Sequence, residues 1–192
     1  DAAPDHAKIF IHVITDGRDC SPTSGLGFVE QIESRIQGTN TKIASVMGRY
    51  WAMDRDHRWE RVARAFEAMT GIQTSHPLES EAPTGSTSKS SMDAIESYYE
   101  HPSEESRKGD EFVVPTQIID AENVPVGLVK DGDALIFFNY RGDRPRELSR
   151  AFVLEDVTWV DVLRGGFDRG KHFVDLFYVT MTNYEPDLPV SA

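Results

Sequence analysis

The sequence predicts an α/β fold of three layers, α/β/α, built around a mostly parallel sheet. Two observations carry this. Short apolar runs rich in β-branched residues alternate with amphipathic helical segments along the 192 residues, the order in which covering helices join the strands of a parallel sheet. The runs are also nearly continuous rather than alternating, as expected for strands buried on both faces.

The elements follow in order. Residues 8–14, with Ile9, Phe10, Ile11, Val13 and Ile14, read as a buried strand. Thr15, Asp16, Gly17, Arg18 and Asp19 make a turn at its C-terminal end. Residues 24–37 read as a helix with Leu26, Val29, Ile32 and Ile36 on one face and Gly38 as its stop. Residues 42–46 are a second strand, ending in Met47-Gly48-Arg49-Tyr50. Residues 56–69 place Trp59, Val62, Ala63, Phe66 and Met69 on one helical face, closed by Gly71. On that register Arg58, Arg61 and Arg64 are expected on the exposed face, with Glu60 and Arg64 spaced for a surface pair. Residues 71–90 are rich in Ser, Thr, Pro and Glu and predict a long exposed or disordered loop. A short helix at 91–100, an extended stretch at 111–119 broken by Pro115, a strand at 134–138, a helix from Pro145 to Phe152 and a final strand at 173–180 complete the chain.

Composition narrows the function classes. Hydrophobic residues make up 39% and charged residues 27%, which suits one folded domain over 1–192 with a core that needs no disulfide. The single Cys20 fits a reducing cytoplasm and is read as structural. A net charge of −12 argues against nucleic-acid binding, and no apolar run approaches a membrane span. The chain opens on Asp1-Ala2-Ala3-Pro4-Asp5 without Met and is read as a piece of a longer protein.

Within this acidic chain, nine of the 14 Arg fall in 49–64 and 141–150. Arg is suited to bidentate grip on phosphate or carboxylate. From the counts alone, ion pairs on helix faces are the simpler reading. Position adds more. Ligands of parallel α/β sheets bind beyond the C-terminal strand ends, and the polar segments 16–19, 48–56 and 139–144 each follow an expected strand. Parallel strands would bring Arg18, Arg49, Arg55, Arg141 and Arg144 to one rim with Asp19, while Asp16, Asp19, Asp54 and Asp143 hold the guanidiniums when the site is empty. A carboxylate not used in this way has the chemistry of a general acid or base.

Other chemistries lack their motifs. There is no phosphate-cradling P-loop, no nucleophile elbow, and no ligand spacing such as HExxH among His6, His12, His57, His76, His101 and His172. His12 is expected as a satisfied sheet residue.

The blocks just placed at the rim resemble those of cofactor-independent phosphoglycerate mutases. His12-Val13-Ile14-Thr15-Asp16-Gly17-Arg18-Asp19 is similar to that family's strand ending in Asp-Gly-Arg-Asp. Residues 48–56, Gly-Arg-Tyr-Trp-Ala-Met-Asp-Arg-Asp, differ from its block at Trp51, where Tyr is usual. Tyr140 to Glu147 is similar to its Phe-Arg-Ala-Asp-Arg-Ala-Arg-Glu, with Gly142 and Pro145 in place of two Ala and the Arg spacing intact. The resemblance implies the substrate-binding domain of an enzyme that interconverts 3- and 2-phosphoglycerate through a phosphoserine. The serine and two Mn²⁺ ions would lie in a separate alkaline-phosphatase-like domain, leaving no metal or cofactor in this stretch. It implies that Arg18, Asp19, Arg49, Arg55, Arg141, Asp143 and Arg144 bind substrate and that Asp19 is catalytic. It further implies a cytoplasmic monomer, inactive alone, that packs against its own catalytic domain. The competing reading is a stand-alone phosphate- or carboxylate-binding module without chemistry.

Overall fold

The computed structural model describes residues 7–75 and 86–191, which form two units, each built from two stretches of chain. Residues 7–49 join 86–128, and residues 50–75 join 129–191. The architecture is mixed α/β with mostly parallel strand pairing, as the sequence predicts.

The first unit carries a four-stranded sheet. Its strands are β1 (Ile9–Thr15), β2 (Thr41–Gly48), β3 (Ser86–Ser88) and β4 (Thr116–Ile118), in the order β1-β2-β4-β3. β1 and β2 pair in parallel, with a register shift between Ile11 and His12; β3 and β4 are parallel, and β2 and β4 antiparallel. Helices α1 (Gly25–Ile36) and α4 (Ser91–Glu100) cover the sheet. Val29 from α1, Ile43 and Val46 from β2, and Ile95 and Tyr98 from α4 close the core with Val113 and Ile118. Ser90 caps α4 by accepting the Met92 and Asp93 N–H groups at 3.1 and 3.3 Å, an arrangement worth about 1 kcal/mol. Of the polar stretch 71–90, residues 76–85 lie outside the described residues, and Ser86–Ser88 form the edge strand β3 rather than loop.

The junction of β1, β2 and the 3-10 turn at Asp110–Phe112 is crowded. A Cβ on Gly48 would stand 2.2 Å from the Glu111 carbonyl oxygen, and one on Gly17 would stand 2.6 Å from the Glu111 nitrogen, where Gly17 also takes φ +63. These two glycines let the turn lie against both strand ends. Asp110, fully buried, accepts from Gly25 N at 2.7 Å and from the Tyr99 hydroxyl, while its carbonyl accepts from Thr15 Oγ1 at 2.7 Å.

The second unit contains α2 beyond Arg49 (Arg49–Ala52), α3 (Trp59–Thr70), β5 (Ala134–Phe137), α5 (Arg146–Val153), α6 (Asp156–Trp159) and β6 (Phe177–Thr180). β5 and β6 pair in parallel. α3 is the central element. Phe66 packs among Phe152, Phe167 and Phe173 with ring centroids 5.0–6.1 Å away, and Trp59 meets Trp159 edge-on at 5.1 Å.

The expected exposed arginine face of α3 is corrected here. Arg64 is buried and pairs with Glu67 at 2.8 Å, not with Glu60, and Arg61 lies with its guanidinium 3.8 Å from the Tyr50 ring centroid. α3 is enclosed on nearly all sides, so its arginines find internal partners. Among the described residues, no helix is long and apolar enough to cross a membrane.

Candidate functional site

In the first unit, the turn after β1 and the residue after β2 meet as strand order dictates, because β1 and β2 are parallel neighbours whose C-terminal ends align, with Thr15 opposite Gly48. Arg49 Nη1 donates to Asp19 Oδ2 at 2.8 Å and also to Asp16 Oδ1. Burial works against ionising Asp16. The Arg49 bond and charge, with backbone N–H groups of Asp19 and Arg18, outweigh it and hold the carboxyl below the usual range. The same carboxylates hold the Arg49 guanidinium above its usual value against the opposing effect of its own burial. Arg18 donates to Glu111 Oε1 at 3.2 Å, and its side chain is otherwise open to solvent. The Asp19 side chain is 78% exposed and, among the described residues, forms an ion pair with Arg49 alone.

In the second unit, the loop between α2 and α3 meets the segment leading into α5. Asp143 joins them. Its Oδ2 accepts from Arg55 Nη1 at 2.8 Å and from Arg141 Nη2 at 3.1 Å, and Arg141 Nε lies 2.6 Å from Oδ1. Partial burial opposes ionisation of Asp143, but the two arginines prevail and its carboxyl is held below the usual range. Arg144 Nη1 donates to the Met53 carbonyl at 3.2 Å. Asp54, buried, accepts the Asp56 and Arg58 backbone N–H groups at 2.8 and 3.0 Å and the side chains of Arg58 and Arg61 at 3.1 and 3.4 Å.

The seven residues assigned from sequence therefore fall into two groups. Arg18, Asp19 and Arg49 lie on the first unit; Arg55, Arg141, Asp143 and Arg144 lie on the second. Carboxylates hold four of the five guanidiniums, Arg18 by Glu111, Arg49 by Asp16 and Asp19, and Arg55 and Arg141 by Asp143, while Arg144 donates to the Met53 carbonyl. That arrangement leaves donors oriented for an incoming phosphate or carboxylate. Two residues escape the sequence reading. Glu111 binds Arg18 from 93 positions away, and Glu147 takes the His57 N–H from 90 positions away; no local signal ties either to its partner. Among the described residues, no group of three or more His, Cys, Asp or Glu side chains is arranged to hold a metal ion. His12, on β1, accepts from or donates to Ser45 Oγ at 2.8 Å, the satisfied sheet position expected of it.

Residues 2–186 match the family described as BPG-independent PGAM N-terminus (iPGM_N). The 2,3-bisphosphoglycerate-independent phosphoglycerate mutase of Rhodopirellula baltica is 47% identical over 186 residues, covering 96% of this chain and 32% of that protein. The protein of the same name from Thermomicrobium roseum is 40% identical over 191 residues, 96% of this chain and 31% of that protein. The crystal structure of Leishmania mexicana phosphoglycerate mutase at low cobalt concentration superposes with a TM-score of 0.72 at 29% identity, over 94% of this chain and 30% of that one. The chain thus spans about a third of the length of the relatives it matches. It belongs to the N-terminal domain family of the BPG-independent phosphoglycerate mutases.

Proposed function

We propose that this chain holds the glycerate substrate of a phosphoglycerate mutase, with the phosphoryl-accepting serine and two Mn²⁺ ions supplied by the rest of a longer cytoplasmic protein. The observation that carries this reading is the pair of arginine groups, in which Glu111, Asp16, Asp19 and Asp143 hold Arg18, Arg49, Arg55 and Arg141. A phosphoglycerate carries a phosphate and a carboxylate, and five guanidiniums provide bidentate donors for both.

The two isomers differ only in which neighbouring oxygen bears the phosphoryl group. When that group leaves, the oxygen must gain a proton; when it returns to the neighbour, a hydroxyl must lose one. Asp19 is the group proposed for this task. Its carboxylate is solvent-open and bound on one side by Arg49, which leaves an oxygen lone pair for a substrate hydroxyl. Arg18 and Arg49 bind the substrate beside it. Arg55, Arg141 and Arg144 are the further arginines proposed to contact substrate.

Isothermal titration of the chain with 3-phosphoglycerate tests this. One-to-one binding is expected, weakened about tenfold or more by Arg49→Ala or Arg55→Ala, since a charge-assisted hydrogen bond contributes about 1.5–3 kcal/mol. No interconversion is expected from the chain alone, with or without added Mn²⁺. Absence of binding, or turnover by the isolated chain, contradicts the reading.

A further inference from the structure

Glu147 stands on the first turn of α5 with almost no exposed surface, 1% of the residue. Its Oε1 accepts the His57 backbone N–H at 2.9 Å. Its Oε2 is buried and has no hydrogen-bond donor within reach. An ionised carboxylate in this state is costly, because a buried charge needs all its acceptor sites served. The neighbouring carboxylate is Asp54, which accepts the N–H groups on either side of the one Glu147 takes; it is itself buried and already accepts four N–H groups. A proton on Glu147 turns the orphaned oxygen into a donor beside an acceptor.

Between them the two carboxyls hold the backbone N–H groups of Asp56, His57 and Arg58. They thereby fix the loop in which His57 takes the left-handed φ of 60. Arg55 sits in that loop and reaches Asp143 from it. We propose that Glu147 is a positioning residue for Arg55: paired with Asp54, it shares a single buried proton, and this acid–carboxylate pair clamps residues 54–58 so that Arg55 meets the substrate. The proposal rests on the substrate reading above for its functional part only.

The charged groups around the pair are few. Arg58 and Arg61 face Asp54. The His57 imidazole Nδ1 lies 3.7 Å from Glu147 Oε1. On α5 itself, Arg150 is engaged by Glu185, with Nε to Oε2 at 2.7 Å. Among the described residues, no cation pairs directly with Glu147 Oε2. Burial raises the Glu147 carboxyl most; the His57 N–H lowers it, the Asp54 charge raises it further, and it stands at about 7. A raised carboxyl binds its proton in the folded protein over a range where the unfolded chain has lost it. The stability this proton brings is therefore full below about pH 4.5 and is lost as pH rises through about 7, and the folded clamp itself gives up the proton near 7.

Three measurements on the chain test the proposal. Carbon-13 NMR of the glutamate side-chain carboxyls should show Glu147 titrating near neutrality in the wild type; titration below pH 5 overturns the proposal without need of a variant. The Tm advantage of the wild type over Glu147→Gln, which mimics the protonated form, should fall as pH is raised from 5 to 8, whereas parallel profiles overturn it. His57→Asn tolerates the left-handed backbone and keeps the N–H. It should retain the wild-type pH profile; loss of that profile would assign the titration to the imidazole instead. The Kd for 3-phosphoglycerate should weaken several-fold more between pH 6 and 8 in the wild type than in Glu147→Gln, and an equal change in both removes the positioning role. Failure of the wild type to bind 3-phosphoglycerate at any pH would refute the substrate reading, while NMR and Tm still decide whether the pair shares a proton.

Discussion

Asp143 Oδ2 stands 2.8 Å from Arg55 Nη1, joining positions 88 residues apart, and the same carboxylate also receives Arg141. One acidic side chain thus orients two guanidiniums that the sequence places in separate motifs. Two effects compete on its removal. Deleting a negative charge strengthens anion binding, whereas freeing two long side chains adds ordering cost on binding of about 0.5–1.5 kcal/mol each. With exposed ion pairs worth only about 0–1 kcal/mol, the ordering cost prevails. Asp143→Ala should weaken 3-phosphoglycerate binding several-fold by calorimetry; equal or tighter binding would show that the carboxylate only competes with the substrate.

Asp19 calls for a different experiment, because Arg49 bonds it directly. Asp19→Asn retains an oxygen that accepts from Arg49 but cannot take up a proton. In a full-length mutase containing this chain, kcat should drop about 10²-fold or more with KM little changed. A raised KM at near-normal kcat would make Asp19 a residue that only orients Arg49.

Gly48 tests the junction that holds the first group in place. Alanine there puts a Cβ against the Glu111 carbonyl oxygen, a backbone atom that cannot swing aside. Urea unfolding of Gly48→Ala should show a loss of about 3 kcal/mol at unchanged m value, the upper end of overpacking costs. Because Glu111 also holds Arg18, substrate affinity should fall with stability.

His12 supplies a pH dependence opposite in sign to that of Glu147. Desolvation lowers its imidazole from 6.5 to about 4, against a raising contribution from a backbone bond at Gly127. Between those values the unfolded chain binds the proton and the folded one does not, so stability is lost as pH falls from about 6.5 toward about 4. The Tm difference between wild type and His12→Gln should therefore shrink as pH is lowered across that window. A constant difference would mean that the imidazole is not desolvated.

How far the sequence could be read follows from the range of the forces involved. α1 lies at Gly25–Ile36 and α5 at Arg146–Val153, within a residue of expectation, because apolar periodicity and end signals are local. The Asp-Gly-Arg-Asp turn was legible for the same reason, and parallel pairing of β1 with β2 then accounts for Arg49 meeting Asp16 and Asp19. Arg64 was misread, since periodicity marks which face is apolar but not whether a second layer covers the other. β3 was hidden because Ser86, Thr87 and Ser88 carry no apolar signal; β4 alone makes them a strand. Glu147 was read only as a motif residue. Its partners, the His57 N–H and the Asp54 carboxyl, are connected to it by no spacing rule.

The interleaving of the two units along the chain bears on how the protein is made. The first unit's sheet has its last strand, β4, by Ile118. α3 ends at Thr70, but the helix that packs on it begins only at Arg146. A ribosome adding about 5–20 residues per second takes roughly 4–15 seconds to cross that interval. Throughout it, α3 lacks the Phe152, Phe167 and Phe173 side chains that later pack on Phe66 and the Trp159 that later meets Trp59. The nascent chain therefore presents an aromatic helix to its surroundings after the first sheet has closed, which makes this the interval in which a chaperone would have most surface to hold.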